Sequence, residues 1–129
     1  MTNITALYDL YQKHPQVVTD SRQIVPGCMF FALKGEHFNG NEFAKQAIEK
    51  GAAYAVIDEP ACRIDGRFIL VKDVLTALQD LAKLHRRHFD IPVLAITGSN
   101  GKTTTKELAR SVLSTHYRTH FTEGNFNNH

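Results

Sequence analysis

The segment from Val93 to Thr104 constrains the fold of this chain more than any other part of it. Val93 to Thr97 is apolar and β-branched, as a strand buried on both faces should be, and it runs directly into Gly98-Ser99-Asn100-Gly101-Lys102-Thr103. Leu108, Ala109, Val112 and Leu113 then repeat at helical spacing. A strand, a glycine-rich turn ending in Gly-Lys-Thr and a helix that starts at once form the arrangement that holds a nucleotide polyphosphate. The glycines let the backbone wrap closely, so that amide N–H groups and the positive end of the helix face the phosphates. In that reading Gly98, Ser99, Asn100, Gly101, Lys102, Thr103 and Thr104 bind ATP, Lys102 reaches the β and γ phosphates, and the Thr103 hydroxyl is a ligand of Mg2+. The loop is a short GxxGKT form, because the commoner pattern has a further glycine where this chain has Ile96. The alternative for the same residues is an ordinary strand-to-helix turn with an exposed Lys102.

The rest of the pattern argues an α/β layer structure. Ile4, Leu7, Tyr8 and Tyr11 fall at helical spacing after Asn3, an N-cap type, and Pro15 marks the end of that helix. Val17 to Thr19, Met29 to Leu33, Ala52 to Ile57 and Phe68 to Val71 read as strands. The polar stretch 34–41 leads into a helix with Phe43, Ala44, Ala47 and Ile48 on its apolar face and Gly51 just past its end. Asp73 caps a long helix carrying Leu75, Leu78, Leu81, Ala82 and Leu84. Asp90-Ile91-Pro92 breaks that helix, which places a domain boundary near residue 90, and Tyr117 to Phe121 reads as a further strand.

Charge narrows the function classes. The chain carries 15 Lys and Arg against 13 Asp and Glu, and the excess lies entirely in residues 91–129, too small for a polyanion footprint; no nucleic-acid partner is expected. No apolar run is long enough for a membrane span and the polar start has no leader pattern, so a cytoplasmic monomer without membrane insertion is the expectation. Cys28 and Cys62 sit in unrelated contexts and read as packing residues. His85 with His88, and His116 with His120, have ligand-like spacings but no accompanying third ligand, so no metal site is expected there.

Two stretches carry a likeness to a known family. Ile96 to Glu107, ITGSNGKTTTKE, resembles the ATP-binding loop of the Mur ligases, the ATP-dependent enzymes that add amino acids to the peptidoglycan precursor. Thr19 to Ala53, with TDSR, then PGCMFFALKG, then a helix ending in KGAA, is similar to the UDP-binding N-terminal domain of the dipeptide- and tripeptide-adding members. Gly124-Asn125-Phe126-Asn127-Asn128 is similar to the loop of the MurF type, the branch that joins D-alanyl-D-alanine to UDP-N-acetylmuramoyl-tripeptide.

The resemblance implies an α/β fold in two parts: an N-terminal UDP-sugar-peptide-binding domain at 1–90, and at 91–129 the truncated start (strand, P-loop, helix, strand) of a P-loop ATPase domain. It implies that Ser21, Arg22, Lys34, Gly35, Glu36 and His37 hold the uridine and diphosphate, with Asn125 near the phosphates or substrate. The family often shows Asp-Gly-His where this chain has Asn39-Gly40-Asn41, so no role for a third-position histidine transfers. Arg22 also reads as a salt-bridged turn residue. The implied reaction transfers the γ-phosphate of ATP to the tripeptide carboxylate, and the amine of D-alanyl-D-alanine attacks the acyl phosphate, with Lys102 and magnesium stabilising charge. Such enzymes continue well beyond what 129 residues hold, so this piece alone is expected to be inactive. The alternatives are another P-loop enzyme, such as a MurE-like or folylpolyglutamate-synthetase-like ligase or a kinase, and a non-catalytic UDP-sugar-binding module.

Overall fold

The computed structural model describes residues 2–123, which fall into two compact units divided between Asp90 and Ile91. The first opens with helix α1 (Ile4–Lys13), capped by Asn3, whose side-chain oxygen accepts from the Thr5 N–H at 3.2 Å. Its apolar stripe buries Leu7 and Tyr8. Strands β1 (Val17–Val18), β2 (Met29–Phe31), β5 (Tyr54–Ile57) and β6 (Phe68–Leu70) form one parallel sheet in the order β1-β2-β5-β6. Met29 lies opposite Tyr54, Phe31 opposite Val56, and Ile57 opposite Leu70.

Both faces of this sheet are covered, which is why β2 and β5 read as continuous apolar runs. Phe30, Ala55, Ile57 and Phe68 point to the layer formed by helix α2 (Ala44–Glu49), where they pack with Ala44, Ala47 and Ile48. Met29, Phe31 and Val56 point to the other side, against α1 and helix α3 (Val74–Arg86). Cys28 is buried in the α2-side core, and both cysteines are free thiols. Gly51 sits just past α2 at φ +108, the left-handed conformation expected of it.

Several expectations need correction. Phe43 is 41% exposed, because the chain enters α2 through a tight 3-10 turn, Gly40–Phe43, that rotates its ring off the buried face. Asp73 does cap α3, accepting from the Thr76 N–H at 2.7 Å. The buried stripe, however, is Val74, Ala77, Leu78, Leu81 and Leu84, while Leu75 and Ala82 face solvent. Val74 sets that register, and Leu75 lies about 100° around the helix from it. The stretch 34–41, read as a polar connection, contains an antiparallel hairpin of β3 (Lys34–Gly35) and β4 (Phe38–Asn39). His85 and His88 are packing residues: the Tyr8 and Tyr11 hydroxyls lie 3.4 Å from the two His85 nitrogens, and the His88 ring stacks on Tyr8 at 4.7 Å.

In the second unit, helix α4 (Lys102–Leu113) starts at Lys102 as the pattern requires. The flanking segments do not form strands among the described residues: Val93 and Leu94 are 68% and 65% exposed, and Tyr117 to Phe121 has no ladder partner. A strand buried on both faces needs neighbours on both edges and cover on both sides, and one helix does not supply them. The second segment instead lies against α4, where the Arg110 guanidinium sits 3.7 Å from the centre of the Phe121 ring and Lys106 Nζ donates to the Thr122 carbonyl at 2.7 Å. No helix among the described residues is long and apolar enough to cross a membrane.

Candidate functional site

The loop before α4 is built by its glycines. Gly98 has φ +149 and Gly101 φ +76, both in the region that side-chain-bearing residues rarely adopt. A Cβ on Gly101 would meet nothing within 4 Å, so conformation and not crowding demands the glycine, and the space beside the loop stays open. Gly101, the N-cap of the 12-residue helix α4, contributes no side-chain hydrogen bond to the positive end of the helix. Lys102 folds back so that its Nζ donates to the Gly98 carbonyl, placing the ammonium over the loop. Ser99, Asn100, Thr103 and Thr104 are exposed around it. The arrangement can bind a polyanion through amide donors, a helix terminus and one cation. Asn125 lies outside the described residues.

In the first unit the expected substrate residues fall into two groups. One is the turn Asp20-Ser21-Arg22. Arg22 grips its neighbour in a fork, Nη2 to Asp20 Oδ2 at 2.7 Å and Nε to Asp20 Oδ1 at 2.9 Å, while its own N–H donates to Oδ1 at 2.9 Å. The Arg22 side chain and backbone donors hold the Asp20 carboxyl down to about 2. Lys50 Nζ donates to the Ser21 carbonyl at 3.0 Å, so α2 braces the turn.

The other group is the hairpin. Lys34, Gly35, Glu36 and His37 line an open depression of about 560 Å3 together with Phe38, Asn39, Glu42 and Glu59; Ser21 and Arg22 are not among its walls. A Cβ at Gly35 would stand 2.3 Å from the ring of Phe38, a 57% exposed side chain that would have to swing aside. Glu36 and His37 form the exposed tip. Lys34 does not point freely into the depression: its Nζ lies 2.9 Å from Asp58 Oδ1 and 3.0 Å from Glu59 Oε1. Hydrogen bonds to these two carboxylates raise the Lys34 pKa.

The sequence reading missed the residues that hold the hairpin. Asn41, 2% exposed, donates to Asp58 Oδ1 at 2.9 Å and to Asn39 Oδ1 at 3.0 Å, and accepts from the Asp58 N–H at 3.0 Å. Asp58 Oδ2 accepts from the Val74 N–H at the start of α3 at 3.3 Å. Burial pushes the Asp58 carboxyl up, but the Lys34, Asn41 and Val74 donors outweigh it and the net shift is downward. The available signal was the polar Asn-Gly-Asn run entering an apolar helix, facing an acidic pair, Asp58-Glu59, that directly follows a strand.

Known proteins resemble this chain along both units. Residues 15–86 match the Mur ligase family, catalytic domain, and residues 96–129 match the Mur ligase middle domain. The chain belongs to the Mur ligase family. The UDP-N-acetylmuramoyl-tripeptide--D-alanyl-D-alanine ligase of Bacillus subtilis is 48% identical over 115 residues, 88% of this chain and 25% of that protein. A crystal structure of MurF from Acinetobacter baumannii superposes with a TM-score of 0.80 at 34% identity, covering 98% of this chain and 30% of that one. MurF ligase from Thermotoga maritima, in complex with ADP, superposes with a TM-score of 0.71 at 29% identity over 90% of this chain and 25% of that one. The chain thus spans about a quarter of the length of the curated relatives it matches.

Proposed function

We propose that this chain is the N-terminal part of an ATP-dependent ligase that joins D-alanyl-D-alanine to UDP-N-acetylmuramoyl-tripeptide. The observation that carries the reading is the loop Gly98–Gly101, two left-handed glycines leading into a helix start whose N-cap is itself glycine, with Lys102 folded over it. The Thermotoga maritima relative is in complex with ADP, which supports an adenine nucleotide as the ligand of such a protein. In the proposed domain division, residues 1–90 receive the UDP-sugar peptide and 91–129 begin the ATP-binding domain. Gly98, Ser99, Asn100, Gly101 and Thr104 shape the phosphate cradle, and the hairpin and the Ser21-Arg22 turn contribute to the uridine side.

Lys102 neutralises charge on the transferring phosphoryl group and moves no proton. Thr103 offers a hard hydroxyl oxygen at the first turn of α4, which suits Mg2+ bound mainly by phosphate oxygens; the ion would offset charge on the β and γ phosphates. Holding the carboxylate and the γ-phosphate in line supplies most of the rate, since acyl phosphate formation needs no protein nucleophile.

The test is phosphate release by the full-length protein. Release is expected to require both UDP-tripeptide and D-alanyl-D-alanine, and Lys102→Ala is expected to lower kcat by about a hundredfold or more. Dependence on glutamate and a folate instead would replace this reading with a folylpolyglutamate-synthetase-like one, and dependence on the UDP-dipeptide with a diamino acid would replace it with a MurE-like one. The 129-residue chain by itself is expected to show no coupled turnover.

A further inference from the structure

The ammonium of Lys34 is held between two carboxylates, Asp58 at 2.9 Å and Glu59 at 3.0 Å, and Asp58 is almost enclosed, its side chain 8% exposed. The same carboxylates also hold the rest of the hairpin base. Asn39 Nδ2 donates to Glu59 Oε1 at 3.0 Å, and Asn41 bridges Asn39 to Asp58. Around the depression Glu36, Glu42 and Glu59 add negative charge, so the one lysine in its wall is already neutralised and outnumbered. An arriving diphosphate would compete with two formed ion pairs, one of them with a nearly buried carboxylate. Removing Lys34 from Asp58 would leave that carboxylate with only its Asn41 and Val74 donors.

We propose that Lys34 is a positioning residue for the uridine-bearing substrate: it ties the β3–β4 hairpin to Asp58 and Glu59, and the diphosphate charge is met by other groups. This rests on the uridine-nucleotide reading of the first unit given above. Lys34 thereby acts through the shape of the Gly35–Phe38 turn, and its loss weakens every ligand that uses the turn, whether or not the ligand carries phosphate.

The experiment compares UDP and uridine binding to the full-length protein, followed by isothermal titration calorimetry, for wild type, Lys34→Met and Lys34→Gln, with folding confirmed by far-UV circular dichroism. Amide hydrogen exchange at Gly40 and Asn41, whose N–H groups donate to the Leu33 carbonyl and to Asn39 Oδ1, reads the hairpin base directly. The expected result is that Lys34→Met lowers UDP and uridine affinity by the same factor, about threefold or more, and speeds exchange at both amides. Lys34→Gln keeps a hydrogen-bond donor without charge and is expected to lower both affinities equally but less. A loss of UDP affinity with uridine unchanged would make Lys34 a phosphate ligand and overturn the proposal. Unchanged affinity for both ligands with unchanged exchange overturns it as well. A wild-type chain that binds neither ligand fails in a different way, since it removes the uridine reading of this unit itself.

Discussion

Gly40 is where the hairpin base meets the sheet most closely, and replacing it by alanine tests the packing reasoning directly. A Cβ at that position would lie 2.4 Å from the Leu33 carbonyl oxygen, 2.6 Å from the Ala32 carbonyl carbon and 2.8 Å from the Leu33 nitrogen. All three are backbone atoms just past β2, so no side chain can swing aside. Ordinary contact begins near 3.4 Å, which means the turn must retreat by about 1 Å. That retreat stretches the 2.9 Å hydrogen bond from Gly40 N to Leu33 O and draws Asn41 away from Asp58. Overpacking of this kind costs about 1–3 kcal/mol, and weakening a buried polar pairing adds about 1–2 kcal/mol. For a unit of this size roughly 3 kcal/mol lowers the melting temperature by more than about 12 °C. Gly66→Ala is the internal control, because nothing lies within 4 Å of its Cβ and its φ is not in the left-handed region. It should change stability by no more than about 1 kcal/mol, in the stabilising direction. Thermal unfolding by far-UV circular dichroism measures both. Melting temperatures within about 2 °C of each other would refute the close-approach argument.

The register of α3 and the charge of Asp58 give two further predictions. Leu81→Ala removes a side chain 2% exposed and should cost about 2–4 kcal/mol, while Leu75→Ala, at a position 52% exposed, should cost under about 1 kcal/mol; equal losses in denaturant titration would restore the register read from the sequence. Asp58 is held below its usual value of 3.8, so its contribution is present above that pH and disappears as pH falls through its lower folded-state value. Melting temperature should therefore fall on acidification from about pH 5 to pH 2 less steeply in Asp58→Asn than in wild type, and parallel curves would count against the Asp58 contacts at the hairpin base.

Local signals in the sequence were those whose cause is local. Asn3 and Asp73 bond to amides two and three residues away, and the structure keeps both caps. The apolar runs of β2 and β5 reported burial on two faces, because every residue of Met29–Phe31 meets one core or the other. The Asp58 cluster at the hairpin base was hidden for the opposite reason. Asp58 earns its role from Lys34 and Asn41, which lie 24 and 17 positions earlier, and taken alone it reads as a turn residue after a strand. The hairpin was equally silent, since strands of two residues show no alternation. In α3 the helix was legible but its rotation was not, because Val74 and Leu75 are both apolar and only the sheet decides which is inside. At the Gly98–Gly101 loop the turn and helix were legible, whereas Val93 to Thr97 has, among the described residues, no ladder partners that would make an extended segment a strand.

The sheet of the first unit is short at both sides. On one edge β1 is two residues long and follows Pro15 closely; on the other, the Thr2 N–H donates to the Leu70 carbonyl at 3.0 Å and occupies part of the outer rim of β6. An edge of that length offers a second molecule few free backbone groups on which to add a strand. A parallel sheet must wait for distant segments to meet before it forms, and during that wait exposed apolar strands are prone to stick to one another. Short edges give no protection at that stage, but once the sheet has closed they leave its apolar central strands covered and little backbone for another chain to pair with.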